Sequence, residues 1–371
     1  MSISTSIHHL TTAAGCILLL VAASFASCSM MSEDRDDCPT GLYVTFKYDY
    51  NLQRADMFRD HVEAVTLYVF NERGELVCTQ SEANRPASSP LRDAAYRMHI
   101  TGLQPGRYRL IALAGQRPYD EMLNDHTRAR FVRHEPTPGE SMQTLDVTLD
   151  HQPLDLTGNL FEVKNLSAPL DTLWHAMSRH EIEVKATGSK PVYDTLSLVR
   201  DTKKINITLR ELDEPQRMDI DDYELTITDH NAHLLWDNSL DEAHTVVYTP
   251  HATWNTDDLP AIAGEDTPGR MGHADFMTSR ILKHASAADD AVLRIVHKST
   301  GKQVAAVNLA DYLSRLRVAE ERYIYSVQEF LDRGYDYRLT FFLRGDRFEY
   351  VSIEISTLSW SVHVQNENLD R

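Results

Sequence analysis

The sequence predicts an all-β protein of two tandem antiparallel β-sandwich domains with few short helices. Three observations predict it. Apolar residues alternate with a period of two along most of the chain. Turn chemistry rich in Pro and Gly separates the alternating runs. Helical spacing is confined to a few short pieces. A length of 371 residues exceeds a typical single domain. The polar, Pro-containing segment from Glu211 to Asp222 is where the break is expected, giving domains 38–213 and 214–371.

The elements follow in order. Leu42, Val44, Phe46 and Tyr48 alternate with Tyr43, Thr45, Lys47 and Asp49, a strand with one core face and one wetter face. Residues 65–70 (VTLYVF) are apolar on both faces and predict a central strand. Asn71-Glu72-Arg73-Gly74 turns the chain into a return strand from Glu75. Pro105-Gly106 fits the two central positions of a type II turn, Pro fixing the first φ and Gly tolerating the positive second one. Strands are expected around Tyr108–Ala114, Leu145–Leu149, Ile182–Ala186 and Ile205–Leu209, with breaks at Thr187-Gly188-Ser189 and Thr300-Gly301-Lys302. The second domain draws its core faces from Tyr223/Leu225/Ile227, Leu293/Ile295, Tyr337–Leu343 and Val351–Ile355. After Ile355 the apolar parity switches to Leu358, Trp360, Val362 and Val364, which implies a bulge or turn near Ser356-Thr357. Leu309, Leu313 and Leu316 have helical spacing, Ala55 to His61 suggests another short helix, and Ser326-Val327-Gln328-Glu329 matches a capping box.

Residues 1–27 contain no Lys, Arg, Asp or Glu, and the run from Ala13 to Ala26 is too short to span a membrane but suits a secretory leader. Its n-region offers only His8 and His9 where a basic residue is usual. Phe25-Ala26-Ser27-Cys28 places a cysteine directly behind that core, the pattern that lipoprotein processing acts on, so Cys28 is the expected lipidation site. Residues 28–37 follow as an acidic, solvated tether. Cys38 and Cys78 then remain; they pair or stay as two free thiols, and the sequence leaves both open.

A net charge of −18, from 37 basic and 55 acidic residues, argues against nucleic acid as a partner. The 17 histidines form no HExxH arrangement, and no P-loop, GxSxG elbow or EF-hand spacing appears. No cofactor, metal ligand set or catalytic residue is expected, and a lipid-anchored hydrolase finds no support. His175 and His180 are spaced so that Glu181 cannot act as a zincin base, the 229–233 segment (DHNAH) is expected in a surface turn, and Asp219, Asp221 and Asp222 in a solvated linker. Of the tryptophans, Trp360 is placed in the core, while Trp174 and Trp254 are less settled between packing and sugar stacking.

In sequence order, several short motifs resemble the FimB-type fimbrial anchor lipoproteins of Bacteroides-group bacteria. They run from Asp37-Cys38-Pro39 and 44–51 (VTFKYDYN) through 55–58 (ADMF), 65–70, 103–108 (LQPGRY) and 112–115 (ALAG) to 173–176 (LWHA). The C-terminal half adds 328–333 (QEFLDR), 337–343 (YRLTFFL) and 353–355 (IEI) with Trp360, Val362 and Gln365. The resemblance implies transthyretin-like sandwiches in a non-enzymatic, surface-exposed outer-membrane lipoprotein. Such a protein holds a fimbrial stalk subunit at the base of the pilus by strand donation, as a part of the fimbrium. A tip or accessory adhesin binding a glycan or partner protein is the alternative. Stalk subunits of such pili lose lipid and first strand by cleavage after a basic residue. Arg35 is the only basic residue between Cys28 and Lys47, so a cut there leaves the first strand in place. The run from Leu358 to Leu369 is the expected connecting element, or else the last strand of the second sandwich.

Overall fold

A computed structural model of the chain describes residues 41–155, 158–185, 190–258, 269–317, 324–345, 347–355 and 361–365, the last of these as backbone only. It is all-β, with few short helices. Strands β1 (Leu42–Lys47), β4 (Met98–Ile100) and β12 (Val192–Ser197) form a three-stranded sheet in the order β12-β1-β4. It faces a six-stranded sheet of β2 (Ala64–Asn71), β3 (Leu76–Ala83), β5 (Gly106–Gly115), β10 (Leu173–Met177) and β13 (Val199–Arg200), ordered β13-β10-β5-β2-β3, with β11 (Ile182–Val184) also on β5. Between them Leu42, Val44 and Phe46 pack with Val65, Leu67, Val69, Leu110 and Ala112.

Strand β2 is apolar on both faces because its sheet is covered on both. Tyr68 and Phe70 look away from the first core onto Phe131, Val147 and Leu234. Those side chains belong to a second three-stranded sheet of β6 (Phe131–His134), β7 (Asp146–Leu149) and β16 (His233–Leu235).

The C-terminal half is a sandwich of two six-stranded sheets. One contains β8 (His151–Pro153), β9 (Leu160–Val163), β15 (Tyr223–Asp229), β17 (Thr245–Tyr248), β20 (Val292–His297) and β21 (Lys302–Asn308), in the order β21-β20-β15-β17-β9-β8. The other contains β14 (Lys203–Glu211), β18 (Ala252–Asp258), β19 (Gly269–Thr278), β22 (Asp336–Leu343), β23 (Phe348–Ile355) and β24 (Ser361–Gln365), in the order β18-β19-β14-β22-β23-β24. Ile205, Ile207, Phe276, Leu339, Phe341 and Ile353 meet Leu225, Ile227, Val246 and Leu293 in its core. Pairing is antiparallel except at β1–β12, β14–β22 and β9–β17, which run parallel.

This topology departs from a clean break after residue 213. Strand β14, which lies before that point, is hydrogen-bonded into the second sandwich between β19 and β22. The β8–β9 hairpin also joins the second sandwich, while β16 returns to pair with β7. Alternation gives each strand its inner face but does not say which sheet supplies its hydrogen-bonding partner.

Of the helices, α1 (Phe58–His61) and α2 (Tyr119–Leu123) are single turns, and α3 (Leu309–Ser314) buries Leu309 and Leu313. In α4 (Val327–Arg333) the Ser326 hydroxyl accepts from Glu329 N at 3.1 Å, half of the expected capping box.

Candidate assembly edge and the junction that holds it

The first and last described strands are held differently. Strand β1, the first described strand, is held on both sides. It pairs in parallel with β12 from Leu42↔Val192 to Lys47↔Ser197 and antiparallel with β4 at Leu42–Val44. Leu42, Val44, Phe46 and Tyr48 are buried below it. Tyr48 meets Trp174 edge-on at 5.8 Å between ring centroids, and Trp174 is fully buried.

Beyond Tyr48 the chain docks directly on the second sandwich. The Asn51 side chain donates to the carbonyls of Tyr48 (2.7 Å) and Ala55 (2.8 Å), fixing the loop. The Arg333 guanidinium of α4 lies 3.9 Å from the Tyr50 ring centroid and 4.7 Å from that of Tyr325. Arg54 Nε donates to the Tyr325 hydroxyl at 3.0 Å.

The connector Arg200–Lys203 crosses the same junction and is buried throughout. Arg200 sits 4.4 Å from the Tyr335 ring and 5.7 Å from Trp174, so its guanidinium lies among aromatic faces. The Lys203 ammonium donates to the carbonyls of Leu331 (2.8 Å), Asp332 (3.0 Å), Gly334 (2.8 Å) and Arg200 (3.3 Å). The first three lie at the end of α4, where backbone acceptors lack intrahelical donors. Burial lowers the Lys203 pKa, with Asp332 and Asp201 opposing that shift. Arg280 completes the junction by a bidentate pair with Asp332 at 2.8 and 2.7 Å. Burial lowers the His175 pKa to about 4, so the neutral ring donates from Nε2 to the Trp236 carbonyl at 2.9 Å.

At the far end of the second sandwich, β24 pairs antiparallel with β23 alone among the described residues, from Tyr350↔Gln365 to Glu354↔Ser361. Among the described strands it is the outermost, with one hydrogen-bonding flank unpaired by any of them. Residues 356–360, where the parity break falls, lie outside the described residues, as do Leu358, Trp360 and residues 366–371.

Other expected site residues separate. Cys28, Arg35 and Cys38 lie outside the described residues, as does the Thr187-Gly188-Ser189 break. Cys78 is on the edge strand β3, half-buried against the first core, and burial pushes its thiol pKa up. Trp254 is exposed on the edge strand β18, stacked on His273 at 5.1 Å. Asn231, expected in a surface turn, is fully buried: it accepts from the Tyr248 hydroxyl at 2.6 Å and donates to Asp229 and to the Arg280 carbonyl. Lys203 and Arg200 escaped sequence reasoning because basic residues at strand ends are ordinarily solvated; buried cations are the exception. Among the described residues there is no metal-ligand cluster and no helix long and apolar enough to cross a membrane.

Comparison with known proteins gives a consistent picture. The family model described as fimbrillin-A associated anchor proteins Mfa1 and Mfa2 matches residues 35–366. A Bacteroides thetaiotaomicron structure titled "putative polysaccharide binding proteins" is 27% identical, with a TM-score of 0.66, covering 89% of this chain and 99% of its own. A "putative adhesin" from the same organism has 24% identity and a TM-score of 0.66, covering 88% and 99%. The fimbrial anchor protein Mfa2 from Porphyromonas gingivalis has 18% identity and a TM-score of 0.59, again covering 88% and 99%. No curated protein matches.

Proposed function

We propose, for a chain that belongs to the family of fimbrillin-A associated anchor proteins Mfa1 and Mfa2, that it is the non-enzymatic anchor of a fimbrium, tied to the outer membrane by lipid on Cys28. Membership establishes a fimbrium-associated role; the base of the fibre is the finer assignment. The observation that supports it most is the asymmetry between the first and last described strands. The first described strand is interior to its sheet, whereas the last is a single-flanked edge strand. A fibre terminator keeps its own first strand and has its C-terminal segment or the bared β23 edge to offer a stalk subunit. The joint is β-augmentation: backbone hydrogen bonds supply affinity and alternate side chains supply register.

Three experiments test this reading. A Cys28→Ala variant is expected to shed the protein and its pili into the medium; pili that remain on the cells refute the anchor. Truncation after Ser356 is expected to leave a folded, lipidated protein that releases pili. Retained pili on that truncated protein remove the donor role from the C-terminal segment. Surface chains that begin after Arg35 count against the anchor and favour a polymerising subunit.

A second reading, an adhesin at the tip or along the fibre, is favoured by Trp254. Its ring is exposed at a sheet edge, and His273, bonded to Thr208 (3.1 Å) and Thr256 (2.7 Å), holds it in place. The likeness to a structure titled as polysaccharide-binding agrees with that reading. Trp174 cannot serve it, being fully buried.

A further inference from the structure

The three-stranded sheet β16-β7-β6 covers only part of the six-stranded sheet below it, and the β2–β3 margin is left open. There a cleft of about 490 Å³ forms between that margin, α2 and the segment leaving β6. Its size falls within the roughly 300–1,000 Å³ usual for small-ligand sites. The floor is the cross-strand pair Thr66↔Ser81, with Thr79 beside it. One wall is Tyr119, whose ring has the Arg133 guanidinium held 4.1 Å from its centroid.

The hydrogen-bonding capacity that remains is specific. Thr66 Oγ1 accepts from Ser81 Oγ at 3.0 Å and from Arg133 Nη1 at 3.0 Å, so both lone pairs are used and its O–H is left to donate. Ser81, having donated, keeps its lone pairs. Glu135 takes the Tyr68 hydroxyl on Oε1 at 2.5 Å, which leaves Oε2 as an acceptor at the cleft. A donor, a neutral acceptor and a carboxylate acceptor therefore converge beside an aromatic wall.

The charges are mostly spent on one another. Arg133 lies 3.8 Å from Glu135, and Arg85 pairs with Asp120 at 3.7 Å and Glu121 at 3.0 Å. Glu82 has no cation partner among the described residues, so an anionic ligand meets repulsion. Vicinal hydroxyls, each both donor and acceptor on a ring with an apolar face, match this set.

From this geometry we propose that the cleft is a binding site for a neutral hexose unit of a surface glycan. The site is built on elements other than β1, β24 and the β18 strand of Trp254, and it stands or falls independently of the anchor assignment.

The test uses the purified full-length protein in detergent, with glucose-, galactose- and mannose-terminated oligosaccharides and sialylated counterparts as probes, read by array and by saturation-transfer NMR. Neutral glycans are expected to bind, and Ser81→Phe, which fills the cleft from an exposed position, and Glu135→Gln are each expected to weaken binding at least about tenfold. Thermal unfolding shows whether each variant remains folded. Absence of neutral-glycan binding, preference for sialylated probes, or binding lost in Trp254→Ala but kept in Ser81→Phe each overturns the proposal. Cells carrying Ser81→Phe should still retain their pili, which separates this outcome from that of the anchor experiment.

Discussion

Replacing Lys203 by Met keeps most of the stem's volume and deletes one ammonium whose four acceptors have little else to bond. The acceptors are carbonyls at 2.8, 2.8, 3.0 and 3.3 Å, three of them at the C-terminal end of α4. Charge-assisted bonds contribute about 1.5–3 kcal/mol each, and a stranded buried carbonyl costs about 1–3 kcal/mol. Against this, the variant no longer has to desolvate a buried ammonium, a penalty of several kcal/mol. The balance for breaking a buried charged group from its partners is a loss of about 3–5 kcal/mol. For a cooperative unit of roughly 150–250 residues, each kcal/mol shifts Tm by about 2–4 °C, so Tm should fall by about 6–20 °C. Near-UV circular dichroism gives the Tm at pH 7, and hydrogen exchange should show faster opening of α4 and of the β14–β22 pair. A Tm within about 2 °C of the parent, with unchanged exchange at α4, would refute the assigned role of Lys203.

Three further outcomes follow from the packing. Gly334→Ala places a Cβ about 2.8 Å from Tyr337 Cζ and closer still to its hydroxyl, on a fully buried ring. A loss of about 1–3 kcal/mol in urea unfolding is expected, and a neutral result argues against that close approach. Trp174→Ala should cost about 3–5 kcal/mol and Trp254→Ala within about 0.5 kcal/mol, since the first is fully buried and the second lies exposed on an edge strand; equal effects in chemical unfolding would contradict the packing described. His175 titrates near 4 when folded against an ordinary histidine value of 6.5, so the unfolded chain takes up its proton first as pH falls. Stability is lost between about pH 6.5 and 4, by up to about 3 kcal/mol. Asp229, raised to about 7 by burial, tilts the profile the other way, because its contribution is lost as pH rises toward 7. The His175 share is therefore the difference between wild type and His175→Phe, and identical slopes would exclude it.

Much of the fold was legible because strand faces are local. The β2 run apolar on both faces belongs to a sheet covered on both faces, and the Asn71–Gly74 turn and the Thr300–Lys302 break, with Gly301 at φ +64, separate paired strands. The expected helix from Ala55 shortens to Phe58–His61, since Asn51 and Asp56 side chains bond the backbone ahead of it. Long-range pairing was not legible. Nothing in Lys203–Glu211 announces that its neighbours lie some seventy residues further on in β19 and beyond Tyr335 in β22. The junction stayed hidden for the same reason. Arg200 and Lys203 look like surface cations until α4 and the aromatic rings from both halves close over them.

The exchange of strands between the halves bears on how the chain acquires its structure. The sheet containing β7 is incomplete until residues 233–235 arrive, and β9 waits for residues 245–247. Neither half can finish as the chain emerges N-terminus first, so folding should be a late, high-contact-order event requiring most of the polypeptide. A newly made chain therefore passes through a stage with unpaired edges on both halves, when a strand from another chain competes with its own.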